Sequence, residues 1–155
     1  MLPTGKLDIR ILRKLLRKYS RVDRRVVLGP GIGEDAAAID MGDKLLVVAT
    51  DPVTFATSEI GYYSVIVNAN DIAATGADPR WFTVTILLPE AEGNEALVDT
   101  IFRQIHQACK QLRISVVGGH TEITYGLDRP ILVGQMMGEV KKGELISTAG
   151  AKPGD

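Results

Sequence analysis

The chain has 155 residues, 45% of them hydrophobic and 24% charged, and its 18 Lys and Arg against 19 Asp and Glu leave a formal charge of −1. That composition fits one globular domain with a real core and excludes a disordered chain. The near-neutral balance argues against a protein that wraps nucleic acid. A single cysteine, Cys109, excludes an internal disulfide framework and fits a reducing compartment. No apolar run approaches the roughly 18 to 20 residues that span a bilayer. Lys6, Asp8, Arg10 and Arg13 interrupt any signal-peptide core, so the sequence reads as cytoplasmic, with neither a membrane nor a nucleic-acid partner.

From the N-terminus, Leu7, Ile11, Leu12, Leu15, Leu16 and Tyr19 share one helical stripe, and Arg10, Arg13, Lys14, Arg17 and Lys18 occupy the remainder. The pattern predicts a surface helix with a solvated basic face. Val26–Leu28 reads as a short strand before the loop Gly29-Pro30-Gly31-Ile32-Gly33-Glu34-Asp35, and Met41-Gly42-Asp43 as a turn. Leu45–Thr50 predicts a strand. Ile60, Ser64, Val67, Asp71 and Ala74 predict one face of a helix ended by Gly76.

Trp81–Leu88, β-branched and aromatic and stopped by Pro89, predicts a further strand. Glu95–Leu112 is the strongest helical pattern, with Leu97, Ile101, Ile105, Ala108 and Leu112 on one stripe. Ile114–Val117 predicts a strand closed by Gly118-Gly119, and Pro130–Val140 a longer one. The small, polar tail from 149 to 155 resembles a linker. The order strand, strand, helix, strand, helix, strand, strand places helices over a sheet, an α+β arrangement.

The acidic residues gather next to glycines and at predicted strand ends. Asp35 closes the glycine-rich loop, Asp51 follows the Leu45–Thr50 strand, Asp71 stands beside Asn70 on the helix, and Gly118-Gly119-His120-Thr121-Glu122 follows Val117. If these segments converge, three aspartates share a pocket, where their repulsion calls for a hard cation. Mg²⁺ takes oxygen ligands and usually binds alongside phosphates, which points to a nucleotide. Each residue also has a plainer reading. Asp35 caps the following segment, Asp51 before Pro52 starts a turn, and His120 is a surface, supporting or acid/base group. A mid-helix Asp71 beside apolar positions needs a partner, because burying an unpaired carboxylate is costly. No P-loop motif, Rossmann fingerprint, nucleophile elbow or zinc spacing is present. Cys109 reads as a packing residue.

Gly33-Glu34-Asp35-Ala36-Ala37, Thr50-Asp51, Asn70-Asp71-Ile72-Ala73-Ala74-Thr75-Gly76-Ala77-Asp78-Pro79 and Gly118-Gly119-His120-Thr121-Glu122, in that order, resemble the N-terminal half of the aminoimidazole-ribonucleotide (AIR) synthase superfamily. That group also holds formylglycinamidine synthetase, selenophosphate synthetase, thiamine-monophosphate kinase and HypE, and the likeness runs over about residues 25 to 140. The resemblance implies a PurM-like α+β domain, 25–148, preceded by a helical segment, 1–24. It implies a mixed or antiparallel sheet with helices on one face, and two such sheets pairing into a barrel in a homodimer.

It further implies ATP bound through Mg²⁺, with Asp35, Asp51, Asp71 and Glu34 as metal ligands. Gly31, Gly33, Asn70, Gly118 and Gly119 would lie against the nucleotide, and His120 and Glu122 would shape the phosphate end. Thiamine-phosphate kinases have an aspartate where this chain has His120; histidine there resembles selenophosphate synthetase and HypE-like proteins. Many relatives also carry two aspartates in place of Glu34-Asp35. Where this sequence stops, relatives enter a C-terminal domain that completes the active site and, in HypE, bears a reactive cysteine. The expectation is therefore a fragment of a HypE-like enzyme that activates a substrate oxygen by phosphoryl transfer. A nucleotide-sensing or dimerisation module is the alternative.

Overall fold

The described residues form nine elements: α1 (Ile9–Tyr19), β1 (Val26–Leu28), β2 (Ala36–Asp40), β3 (Lys44–Val53), α2 (Ile60–Ala74), β4 (Asp78–Pro89), α3 (Glu95–Leu112), β5 (Ser115–Thr124) and β6 (Ile131–Lys141). The structure is a computed structural model and describes every residue except Thr57, Ala149, Gly150, Ala151, Pro153 and Asp155. The expected linker, 149–155, thus lies largely outside the described residues. No helix among the described residues is long and apolar enough to cross a membrane.

The six strands form one mixed sheet in the order β1-β2-β3-β6-β4-β5, antiparallel throughout except for the β4–β5 pair. Along β3, β4 and β6 burial alternates residue by residue. Leu45, Val47, Ala49, Phe82, Val84, Ile86, Leu132 and Met136 point into a core closed by Val65, Ala69 and Ile72 of α2 and Ile101, Ile105 and Ala108 of α3. The helices therefore cover one face of the sheet, the α+β layering expected from the PurM-like pattern.

α3 matches its sequence pattern from end to end. The Asn94 side chain caps it by accepting from the Leu97 N–H at 3.0 Å, and Arg113 in the left-handed region ends it. Cys109 is buried on this helix, and burial pushes its thiol up to about 11, so it packs and does not react. α1 starts two residues later than its stripe, at the Asp8 cap, and buries none of its side chains completely.

Two expectations need correction, and a segment without an expected structure proves to be a strand: the three alanines from Ala36 pair with Val47–Ala49 of β3. Gly118-Gly119 does not close β5; the strand runs through the pair to Thr124, with a bulge opposite Phe82 and Thr83. A Cβ on Gly119 would lie 2.2 Å from the Val84 carbonyl oxygen, and its φ is +156°, so this glycine lets two parallel strands stay paired at close range. Finally, the buried face of α2 is Ile60, Gly61, Ser64, Val65, Asn68, Ala69 and Ile72; it keeps Ile60 and Ser64 of the expected face but beyond them lies about one residue of rotation from Val67, Asp71 and Ala74. Polar Ser64 and Asn68 are inside because both are hydrogen-bonded there.

α2 sits so close to β6 that a Cβ on Gly134 would come within 2.3 Å of the Asn68 amide nitrogen and 2.9 Å of the Phe82 ring. Gly134→Ala is expected to lower stability by about 1–3 kcal/mol, the usual range for overpacking, read as a reduced urea midpoint at unchanged slope. An unchanged midpoint would contradict this account of the helix–sheet contact.

Candidate functional site

β2 and β3 bring Asp35 and Asp51 to neighbouring strand ends. Ala36 pairs with Ala49, so Asp35 stands level with Thr50, one residue from Asp51. Asp51 lies at the end of β3 on the side that α2 covers, and α2 fixes it through Asn68. The Asn68 side chain is fully buried; its Oδ1 accepts from the Asp51 N–H at 2.9 Å, and its Nδ2 donates to the Ser64 carbonyl at 2.8 Å and the Asp51 carbonyl at 3.3 Å. Asp71 follows Asn68 by three residues, nearly one helical turn.

The consequence is electrostatic. The Asp71 carboxyl is pushed up to about 6, first by burial, then by the negative charges of Asp51 and of Asp35, while Lys6 pulls it the other way. The charges of two aspartates distant in sequence thus reach the Asp71 carboxyl. Among the described residues no three carboxylate, histidine or cysteine groups close around a single point as a ready metal cage. The donors these aspartates offer are hard oxygens. They suit an ion that completes its shell with water and phosphate oxygens, as Mg²⁺ does, and do not suit zinc.

Two clefts flank this acidic region. One, of about 860 Å³, is lined by Lys6, Asp51, Pro52, Val53, Phe55 and Tyr63, among others. The second, of about 450 Å³, is lined by Lys6, Leu12, Gly31, Gly33, Glu34 and Asp35, among others. Gly31 and Gly33 line the same cleft as Asp35. Glu34 is engaged differently: its Oε1 accepts from the Ser147 hydroxyl at 2.8 Å, and the Thr148 hydroxyl donates to the Gly33 carbonyl at 2.6 Å. The segment after β6 thereby clasps the glycine-rich loop, a contact that no local motif announces. Asn70 is exposed on α2; the buried amide that orders the site is Asn68.

Gly118, Gly119 and His120 line a third cavity, about 440 Å³, between β5 and α3, together with Val84, Ile86, Phe102, Ile105 and His106. Asp51, Gly134, Val84 and Gly119 are paired across β3, β6, β4 and β5. With strands about 4.8 Å apart, the Gly-Gly pair lies roughly 14 Å from Asp51. His120 Nε2 and Glu122 Oε2 are 2.8 Å apart, and the Thr124 hydroxyl donates to Glu122 Oε1 at 2.9 Å. These two hydrogen bonds, that of His120 foremost, hold the Glu122 carboxyl below its ordinary range. In the single chain, His120 and Glu122 form a pair of their own, separate from the aspartates.

The model described as AIR synthase related protein, N-terminal domain, matches residues 33–140. A putative hydrogenase expression/formation protein of Methanocaldococcus jannaschii is 30% identical over 134 residues, 81% of this chain and 40% of the relative. A thiamine-monophosphate kinase of Salmonella typhimurium is 30% identical over 158 residues, 91% of this chain and 45% of the relative. The chain thus spans less than half the length of either relative. Among solved structures, AaThiL complexed with AMPPCP and TMP superposes with a TM-score of 0.71 at 22% identity, covering 93% of this chain and 44% of that one. At that identity the likeness is one of fold.

The raised Asp71 carboxyl fixes the sign of a pH effect. Between the ordinary value of 3.8 and about 6 the folded chain holds the proton more tightly than the unfolded one, so stability falls as pH rises through that window. Asp71→Asn removes the repulsion. It is expected to stabilise the metal-free protein near pH 7.5 by an amount of order 1 kcal/mol after solvent screening, with no gain at pH 4. Denaturant melts at the two pH values check this, and equal effects at both would contradict it.

Proposed function

Because the chain belongs to the AIR synthase related family through that family's N-terminal domain, we propose that it binds Mg²⁺-ATP at the acidic cleft. In this reading it forms the nucleotide-binding half of a HypE-like cytoplasmic enzyme that activates a substrate oxygen by phosphoryl transfer. The observation that carries the reading is the Asp71 carboxyl, pushed up by burial and then by the negative charges of Asp51 and Asp35, a repulsion that a divalent cation relieves.

Asp35, Asp51 and Asp71 are the groups that would hold the metal, with Asn68 keeping the Asp51 backbone in place. The glycine-rich loop beside Asp35 offers backbone N–H groups at a distance that side chains would block, the usual way a loop approaches phosphate. When bound, Mg²⁺ neutralises charge on the triphosphate; the protein's contribution to such a transfer is mainly positioning. His120, paired with Glu122, is the candidate for the far end of the ligand. The Methanocaldococcus relative's name supports a hydrogenase-maturation role.

The equal identity to a kinase of thiamine monophosphate supports a second reading, in which that phosphate is the acceptor. His120, where such kinases carry an aspartate, weighs against it, and the same histidine leaves a selenophosphate-synthetase-like enzyme as a further alternative. A second half like that of the relatives would set the oxygen-bearing substrate.

The proposal includes a homodimer joined through the uncovered face of the sheet. Val48, Met137 and Trp81 stand side by side there across β3, β6 and β4, all only half-buried. Such an apolar row fits the sheet-on-sheet barrel that the superfamily resemblance implies. Met137→Lys is expected to shift the protein to monomer in sedimentation experiments with its circular dichroism unchanged; an unaltered dimer would contradict the pairing.

Mg²⁺-ATP at a hundred times its Kd should stabilise the fold by about 2.7 kcal/mol. The shift should require both components and be lost in Asp51→Asn and in Asp71→Asn. No shift in the wild type, or an equal shift in both variants, would overturn the assignment of the cleft.

A further inference from the structure

The segment that follows β6 makes three long-range contacts in three successive residues. The Ile146 N–H donates to the Thr75 carbonyl at 2.9 Å, at the end of the helix that carries Asp71. The Ser147 hydroxyl donates to Glu34 Oε1 at 2.8 Å, and the Thr148 hydroxyl to the Gly33 carbonyl at 2.6 Å. Among the described residues, no loop or turn hydrogen bond between backbone groups lies within 29–35. The two hydroxyls thus supply the hydrogen bonds that place the glycine-rich loop. Gly33 sits at φ +83°, a conformation glycine adopts at no steric cost, and Thr148 holds its carbonyl in one direction. Glu34 leans back over the loop, since a Cβ on Gly31 would lie 3.3 Å from the Glu34 Cγ.

We propose that Glu34 is the acceptor of a latch and not a metal ligand, and that Ser147 is a positioning residue acting through it. The inference rests on the nucleotide reading above and deepens it. Backbone N–H groups of a loop cradle a phosphate only when they point the same way. A tethered carboxylate at residue 34 and a held carbonyl at residue 33 preset that arrangement before any ligand arrives. Length is the physical argument for Glu34. An aspartate at this position would draw the carboxylate back by about one carbon–carbon bond, roughly 1.5 Å, beyond hydrogen-bond reach of Ser147. A glutamine keeps both the length and an accepting oxygen. Through Ile146 the same segment is fastened to the end of α2, about one helical turn past Asp71, so the latch ties the Asp35 loop to the Asp71 helix.

The test titrates wild type, Ser147→Ala, Ser147→Thr, Glu34→Gln and Glu34→Asp of the whole chain with Mg²⁺-AMPPCP by calorimetry. Ser147→Ala and Glu34→Asp should each bind about tenfold more weakly, the scale of one hydrogen bond to a charged group. Ser147→Thr keeps the hydroxyl and should recover most of that loss. The double variant Glu34→Asp/Ser147→Ala should be no weaker than either single one, because both remove the same bond. Glu34→Gln should bind tighter than Glu34→Asp; a metal ligand requires the reverse order, since it needs the charge. Hydrogen exchange of the nucleotide-free protein gives an independent readout: in Ser147→Ala the Gly31 and Gly33 amides should exchange faster, with Ile101 and Ile105 of α3 unaltered. If Ser147→Ala binds like wild type, or Glu34→Asp binds tighter than Glu34→Gln, the latch is wrong while the nucleotide site stands. If wild type does not bind Mg²⁺-AMPPCP, the nucleotide reading falls and the positioning role falls with it.

Discussion

One buried amide holds the candidate site in place. Asn68 lies at full burial between α2 and β3 and uses both ends of its side chain, accepting from the Asp51 N–H and donating to the Ser64 and Asp51 carbonyls. Leaving any of those groups unpaired in the interior costs about 1–3 kcal/mol, so the helix and the strand end cannot separate cheaply. The clamp acts against a repulsion, since Asp51 and Asp35 both oppose ionisation of Asp71. A fold that spends packing and hydrogen bonding to bring like charges together stores, in its metal-free form, a preference for whatever cation relieves them.

The same contact accounts for the glycines of β6. Gly134 lies under Asn68, and Gly138 under Ile72, where an added Cβ would lie 2.4 Å from the isoleucine side chain. A helix that must reach a strand end with a short amide needs a sheet with little on it at those levels. Further across, Gly119 serves strand pairing and places His120 and Glu122 at the edge of the sheet, roughly 14 Å from Asp51 by strand spacing. The site therefore consists of a rigid acidic centre, a loop beside it clasped by Ser147 and Thr148, and a separate pair on the edge strand.

What was legible in the sequence depended on how far each signal reached. α3 was readable because eighteen residues repeat one apolar period, and β4 because aromatic and β-branched residues run unbroken to a proline. β2 was not, since Ala36-Ala37-Ala38 carries no strand preference of its own and its pairing with Val47–Ala49 is set by residues distant in the chain. Gly118-Gly119 looked like a stop, and it is a site of close strand approach. The face of α2 was misjudged beyond Ser64 because hydropathy cannot show that Asn68 is satisfied inside. Asp35, Asp51 and Asp71 were picked out by their position beside glycines and strand ends, and the charges of Asp51 and Asp35 do reach the Asp71 carboxyl. Asn68 and Ser147 escaped notice, since each acts on residues far away in the chain.

The central claim is that the three aspartates share one divalent cation together with a triphosphate. Paramagnetic broadening by Mn²⁺, added with AMPPCP to labelled protein, addresses it most directly, because the effect falls off steeply with distance from the ion. The account predicts that resonances of Asp35, Asp51 and Asp71 vanish first and together, ahead of Glu90 and Glu92 on the β4–α3 loop and Glu95 at the start of α3. Broadening that begins at those surface glutamates, or that strikes the three aspartates independently, would contradict it.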